Sequence, residues 1–281
     1  MTAISGSTRL TGIIGWPVEH SLSPAMHNAA FAASGLDMAY VALPVAPGAL
    51  AAAVGGLAAL GFVGVNVTIP HKTDVVAFLD ELADDAARIR AVNTIVVRDG
   101  RLLGHNTDVG GFERALREIV PEGIEGGEAL LLGAGGAARA VALGLLRQGV
   151  QRLVVADRTP ARAHELLALA GGEEGVEGRV VALDALTPAD VAGADVLVNA
   201  TSLGMSAELK VPGVLVDNIR RDHIVFDVVY GKRPTKPLAR ARAVGARAVD
   251  GLGMLAWQAA LAFELWTGRP APLDVMRSAA R

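Results

Sequence analysis

The sequence predicts a two-domain α/β protein from its length, its small-aliphatic composition and two successive series in which strand and helix signals alternate. At 281 residues the chain is longer than one hydrophobic core usually grows. It is 52% hydrophobic but only 4% aromatic, and its abundant Ala, Val and Leu suit helices packed closely on a parallel sheet. An all-β sandwich is not expected.

In the first series, residues 10–15, 39–45 and 63–67 read as strands separated by helical stretches. Ser23-Pro24 marks a helix start, with Ser23 as N-cap and Pro24 in the first turn, and Gly35 ends that helix. Residues near Ser21 then occupy a strand-to-helix turn. Residues 94–97 and 102–103 flank Asp99-Gly100, a pair favoured in tight hairpins, so an antiparallel pair is expected there. The second series has strands at 129–132, 153–156, 180–183, 196–198 and 224–226 with helices between them, the pattern of a doubly wound parallel sheet. Residues 253–266 have helical composition and return to the first domain. Trp257, Phe263, Leu265 and Trp266 in this stretch read as core and domain-joining residues. The expected domains are 1–107 with 253–281, and 108–252.

A net charge of -3, with both signs mixed along the chain, gives no basic field for nucleic acid or an anionic membrane. A small molecule is the expected partner, and the protein is expected to be a monomer or a homodimer. The chain has no cysteine, which excludes disulfides and thiolate zinc sites. The six histidines show no metal-binding spacing with carboxylates, so no metal is expected. Residues 1–9 lack the basic and apolar stretches of a secretory signal, and the Ala-rich stretch 49–60 is too short and glycine-interrupted to span a bilayer. A cytoplasmic location is the expectation.

The run Leu132-Gly133-Ala134-Gly135-Gly136-Ala137-Ala138-Arg139-Ala140 follows an apolar strand and opens an alanine-rich helix. This is the setting in which a glycine-rich turn brings backbone N–H groups and a positive helix end against a pyrophosphate. An ordinary strand-to-helix turn needs glycine less densely. The second domain is therefore expected to be a Rossmann-type cofactor domain, with Gly133, Ala134, Gly135, Gly136 and Ala137 around the dinucleotide. The next strand ends in Asp157-Arg158-Thr159, where a residue reading the adenosine ribose stands. Arg158, Thr159 and Arg162 suit a ribose phosphate, whereas Asp157 suits a free ribose. NADP is the expected cofactor, with NAD as the alternative.

Polar residues gather in the first domain. Ser21 and Ser23 place two hydroxyls at a turn, where they can bond a carboxylate or a polyol. Asn66 and Thr68 share one side of an extended segment, with Lys72 just beyond it. Asn93-Thr94 and Asn106-Thr107-Asp108 follow.

These stretches resemble the shikimate dehydrogenase family, which includes quinate dehydrogenases, and the resemblance extends over nearly the whole chain. Its serine pair matches Ser21 and Ser23, its Asn-Val-Thr-x-Pro-x-Lys element Asn66 to Lys72, and its Asn-Thr and Asn-Thr-Asp elements Asn93-Thr94 and Asn106-Thr107-Asp108. Its Asn-Ala-Thr and Gly-x-Gly-Met-Leu elements, which flank the nicotinamide, match Asn199-Ala200-Thr201 and Gly251-Leu252-Gly253-Met254-Leu255. The resemblance implies an N-terminal α/β substrate domain in which Ser21, Ser23, Asn66, Thr68 and Asn93 bind substrate, joined by Tyr230 and Gln258. It implies cofactor contacts from Thr201, Gly251 and Met254, and a catalytic pair of Lys72 and Asp108. The implied activity is reversible, NADP-dependent reduction of 3-dehydroshikimate to shikimate, in aromatic amino-acid biosynthesis. Lys72 supplies the proton as charge develops on the ketone oxygen, and Asp108 orients it. A structural salt bridge joining two domains is the lesser alternative, because an exposed bridge adds little stability and does not explain the adjacent Asn and Thr residues.

Two positions depart from the family pattern. Asp157 stands where Asn is usual, and Gly231-Lys232 follow Tyr230 where Asn-Pro is frequent. A quinate or dual quinate/shikimate dehydrogenase is the nearest alternative, although Ser23 resembles the shikimate-preferring pattern rather than the threonine of quinate-using relatives. A metabolite-sensing protein without turnover is a third.

Overall fold

The computed structural model describes residues 4–171, 176–206, 208–231 and 233–281, so Lys232 lies outside the described residues. The strands are β1 (Arg9–Gly15), β2 (Met38–Pro44), β3 (Phe62–Val67), β4 (Glu81–Leu82), β5 (Thr94–Arg98), β6 (Arg101–His105), β7 (Glu128–Leu132), β8 (Arg152–Asp157), β9 (Glu177–Ala182), β10 (Val196–Asn199), β11 (Ile224–Asp227) and β12 (Arg247–Val249). The α-helices are α1 (Ser23–Ala33), α2 (Leu50–Gly56), α3 (Asp84–Ile89), α4 (Thr107–Arg117), α5 (Gly136–Arg147), α6 (Pro160–Gly171), α7 (Pro188–Ala192), α8 (Gly213–Asp217), α9 (Lys236–Val244), α10 (Gly251–Thr267) and α11 (Leu273–Ala279). Among the described residues, no helix is long and apolar enough to cross a membrane.

The chain forms two compact units, Met1–Gly111 with Leu255–Arg281, and Phe112–Met254. The changes of unit fall inside α4 and inside α10, whereas the sequence placed them at 107/108 and 252/253. Asp108 therefore belongs to the first unit.

The sheet of the first unit runs β2-β1-β3-β5-β6-β4. β1 lies parallel to β2 and β3, while β5 is antiparallel to both β3 and β6. The hairpin of β5 and β6 closes through Asp99 and Gly100, both at positive φ, as a tight two-residue connection requires. One core packs Met26, Phe31, Phe263 and Trp266, and a second packs Leu50, Val54, Val65 and Ile95. Trp266 docks the end of α10 on this sheet. Its indole N–H donates to the Ile95 carbonyl at 3.0 Å, and a side chain on Gly64 would stand 2.3 Å from its Nε1.

The start of α1 corrects the expected cap. Leu22 is the N-cap residue and makes no side-chain cap bond, while Ser21 Oγ accepts the Ser23 N–H at 3.2 Å. The serine two residues upstream satisfies the helix start, and Ser23 is itself the first helical residue.

The sheet of the second unit is parallel throughout, in the order β12-β11-β10-β7-β8-β9. The order reverses between β7 and β10, which makes the carboxyl ends of those strands the crevice where doubly wound sheets bind ligands. β7, β10 and β11 are buried almost end to end, which explains their continuous apolar sequences. β9 begins three residues before its expected start and ends at Ala182, with Leu183 in a short helical turn. It is an edge strand whose first residues, Glu177, Gly178 and Arg179, are exposed, so its outer half carries no apolar signal.

Candidate active site

In the first unit, β3, β5 and the start of α4 converge on one polar network. Lys72 follows β3 by five residues, and its backbone carbonyl accepts the Val92 N–H at 2.8 Å. Its Nζ lies 2.5 Å from Asp108 Oδ2, with the two side chains 14% and 6% exposed. The pair lies wholly within the first unit, which corrects the reading of it as a bridge between domains. The other carboxylate oxygen, Asp108 Oδ1, accepts from Asn93 Nδ2 at 2.9 Å, and the Asp108 N–H donates to Asn106 Oδ1 at 3.1 Å. Asp108 is therefore held from three directions in the first turn of α4.

Asn93 is the hub. Its Oδ1 accepts the Thr107 N–H at 2.7 Å and the Thr94 hydroxyl at 3.0 Å, and its Nδ2 also faces Gln258 Oε1 at 3.4 Å. Gln258 donates its own amide to the Leu255 carbonyl at 2.8 Å. Behind this layer Asn66 Nδ2 donates to the Asn93 carbonyl at 3.1 Å and to Thr94 Oγ1 at 3.0 Å, and Asn66 Oδ1 accepts from the Tyr40 hydroxyl at 2.7 Å. Ser23 is buried at the start of α1. Burial raises the Tyr40 hydroxyl well above its ordinary range, so it acts as a neutral donor. Thr68 is half-buried, with its methyl packed where a side chain on Gly15 would stand. Thus Ser21, Ser23, Asn66, Thr68, Lys72, Asn93, Asp108 and Gln258 all belong to the first unit, and from Tyr40 through Asn66, Thr94, Asn93 and Asp108 to Lys72 runs one hydrogen-bonded chain.

The second unit carries the glycine turn. Gly133 has φ +104, and a Cβ there would stand 2.9 Å from Thr201 Cγ2 and 3.1 Å from the Ala200 carbonyl oxygen. Both the conformation and the close approach exclude a side chain. Gly135 is the N-cap of α5 and makes no side-chain cap bond, so the first-turn N–H groups of Gly136 and Ala137 remain for an anion. The atom nearest to a Cβ built on Gly135 is Arg162 Nη2 at 3.7 Å, which brings that guanidinium beside the glycine turn. Arg158 and Thr159 are exposed at the end of β8. Asp157 Oδ1 accepts the Thr159 N–H at 2.8 Å. Thr201 sits in the turn after β10, where its hydroxyl donates to Asn199 Oδ1 at 2.6 Å. Gly251 opens α10 against the backbone just past β11, and a Cβ on it would lie 2.0 Å from the Val228 carbonyl oxygen; here glycine is a packing requirement. Met254 is buried, and burial raises the Tyr230 hydroxyl above its ordinary value. Among the described residues, no group of three or more His, Asp or Glu is placed to hold a metal ion.

Comparison with known proteins settles the lineage. A family model described as the shikimate dehydrogenase substrate binding domain matches residues 13–95, one for shikimate/quinate 5-dehydrogenase matches 115–210, and one for the shikimate 5'-dehydrogenase C-terminal domain matches 251–281. The NADP(+) shikimate dehydrogenase of Moorella thermoacetica is 50% identical, covering 98% of this chain and 94% of its own. The chain belongs to the shikimate dehydrogenase family. A solved shikimate dehydrogenase in complex with NADP+ superposes with a TM-score of 0.88 at 40% identity, covering 99% of this chain and 96% of its own. The quinate dehydrogenase of Corynebacterium glutamicum in complex with NAD gives 0.86 at 37% identity, with 97% and 98% covered. The fold is common to both substrate specificities.

Within this shikimate dehydrogenase fold, two buried groups carry weight that the sequence did not reveal. Tyr40 reads as an ordinary strand aromatic, and only the register of β2, β1 and β3 brings its hydroxyl to Asn66, 26 residues away. Asp227 ends the apolar strand β11 and is fully buried. A carboxylate directly after such a run, at the carboxyl end of a parallel strand, is the signal that was available.

Proposed function

We propose that this protein catalyses the reversible NADP-dependent reduction of 3-dehydroshikimate to shikimate, with Lys72 as proton donor and Asp108 as its orienting partner. The observation that carries the reading is the 2.5 Å contact between Lys72 and an Asp108 carboxylate that accepts from the Asn93 amide, with the Asp108 backbone N–H tied to Asn106. When bound, the cofactor supplies the hydride. Lys72 gives its proton to the oxygen on which negative charge develops, and Asp108 keeps the ammonium aimed at it. In the reverse direction Lys72 takes the hydroxyl proton.

The substrate is held by Ser21, Ser23, Asn66, Thr68, Asn93 and Gln258 in the first unit, and Tyr230 is assigned to the substrate by the family resemblance. The carboxylate and ring hydroxyls of shikimate suit these neutral hydroxyl and amide groups. Gly133, Ala134, Gly135, Gly136 and Ala137 bind the pyrophosphate, Thr201, Gly251 and Met254 line the nicotinamide end, and Arg158, Thr159 and Arg162 take the ribose phosphate. Asp157 is occupied by the Thr159 N–H, a bond that an Asn oxygen at this position makes equally well, so its presence is compatible with NADP. A reaction drawing on reduced nicotinamide suits the cytoplasm, and the proposed assembly is a monomer or homodimer. The test is to incubate the protein with 3-dehydroshikimate and NADPH, follow loss of nicotinamide absorbance and identify the product. Shikimate formed in step with NADPH consumed is expected; no consumption above the protein-free rate overturns the reading.

A further inference from the structure

Asp227 takes no part in the chemistry above, yet it is fully buried at the carboxyl end of β11. Its Oδ1 accepts from Asn199 Nδ2 at 2.9 Å and from the Val229 N–H at 3.0 Å, and its Oδ2 accepts from the Thr235 hydroxyl at 2.6 Å. All three donors are neutral. Burial raises the carboxyl to about 6, with the nearby charge of Asp250 adding to the rise. A carboxylate kept in such a place without a cation costs stability unless its oxygens are used, and here both are.

One of those bonds decides a geometry. An Asn amide has two ends of nearly equal size, and only hydrogen bonding selects which way it faces. Asp227 Oδ1 and the Leu203 carbonyl, the latter at 2.9 Å, take the two hydrogens of Asn199 Nδ2. Asn199 Oδ1 is thereby turned toward Thr201, accepting its N–H at 3.2 Å and its hydroxyl at 2.6 Å. Thr201 Oγ1 then accepts the Leu203 N–H at 3.0 Å. This turn abuts the glycine turn, because Thr201 Cγ2 and the Ala200 carbonyl oxygen fill the space over Gly133. A flipped Asn199 would set its NH2 against the Thr201 N–H and oppose two acceptors across the Leu203 carbonyl.

We propose that Asp227 is a positioning residue of the cofactor site, fixing the Asn199 amide and through it the Thr201 turn against Gly133. The proposal rests on the assignment of Gly133 and Thr201 to NADP. It differs from a general structural role because it predicts loss at one ligand only and rescue by a neutral side chain that still offers an oxygen.

The experiment is direct titration of the full-length protein with NADP, together with shikimate KM, for Asp227→Ala, Asp227→Asn and Thr235→Val. Asp227→Ala is expected to weaken NADP by about tenfold or more, the scale of one buried hydrogen bond, with shikimate KM within about twofold of wild type. Asp227→Asn retains an acceptor for Asn199 and is expected to stay within about threefold of wild type for NADP. Thr235→Val leaves the Asn199 bond intact and is expected to bind NADP as wild type does. If Asp227→Ala does not fold, Asn199→Leu, which keeps the shape and removes the amide, must show the same tenfold loss. Wild-type NADP affinity in folded Asp227→Ala or Asn199→Leu overturns the proposal, as does an equal loss in Asp227→Asn. Failure of the wild-type protein to bind NADP would instead overturn the cofactor assignment.

Discussion

Replacing Lys72 by methionine keeps an unbranched stem and removes the ammonium that lies 2.5 Å from Asp108. Asp108 retains the Asn93 amide at 2.9 Å and its backbone bond to Asn106, so the site keeps its architecture and loses its proton donor. General acid–base groups contribute about 10²- to 10⁴-fold in rate, which corresponds to roughly 2.7–5.4 kcal/mol of barrier. Removing one partner of an ion pair buried to this degree costs about 3–5 kcal/mol in stability, within the roughly 5–15 kcal/mol that holds a domain folded. The assay is shikimate oxidation followed by NADPH absorbance, with both KM values measured and thermal unfolding run on the same preparation. The expected outcome is a kcat lowered by about 10²-fold or more, with each KM changed by less than about tenfold, because the proton donor acts chiefly in the transition state. A folded Lys72→Met protein with wild-type kcat would refute the reasoning.

The same geometry fixes four further outcomes. Ser21→Ala and Gln258→Ala are expected to raise shikimate KM and leave NADP affinity unchanged in a direct titration; weakened NADP binding in either would contradict the division of binding between the two units. Burial raises Asp227 to about 6, so its contribution to stability is full below about pH 4 and lost as pH rises through about 6; denaturant titrations should find Asp227→Asn more stable than wild type at pH 7, by about 3 kcal/mol at most, and equal to it at pH 4. Burial lowers His27 to about 3, which works in the opposite sense: its contribution is present above about pH 6.5 and lost as pH falls, so His27→Phe should flatten the acid limb of the stability curve. Arg158→Ala is expected to lower kcat/KM for NADP relative to NAD and Asp157→Asn to raise it, measured at one fixed salt concentration because phosphate contacts are screened; an unmoved ratio in both would remove these side chains from cofactor choice.

The central strands were legible because their environment imposes one chemistry on every residue. Leu130, Leu131 and Leu132 are buried on both faces of the second sheet, and a strand covered on both sides has no polar position to break its apolar run. β4 and β12, of two and three residues, are too short to carry a periodic signal. The start of α1 was misread because Ser21 and Ser23 are both good cap residues, and only the path of the backbone decides which oxygen meets which N–H. Lys72 and Asp108 are 36 residues apart, and resemblance rather than spacing paired them. Asp227 escaped notice for a different reason. Its partners come from β10, its own loop and the residue before α9, a convergence that the order of a parallel sheet produces and no local pattern announces.

Substrate and cofactor choice are read together from four initial-rate curves on one preparation, shikimate and quinate each with NADP+ and NAD+. The highest kcat/KM is expected for shikimate with NADP+, with the Lys72→Met protein depressed on every substrate it turns over. A higher value for quinate, a preference for NAD+, or no turnover of either substrate by folded wild-type protein would contradict the proposed function.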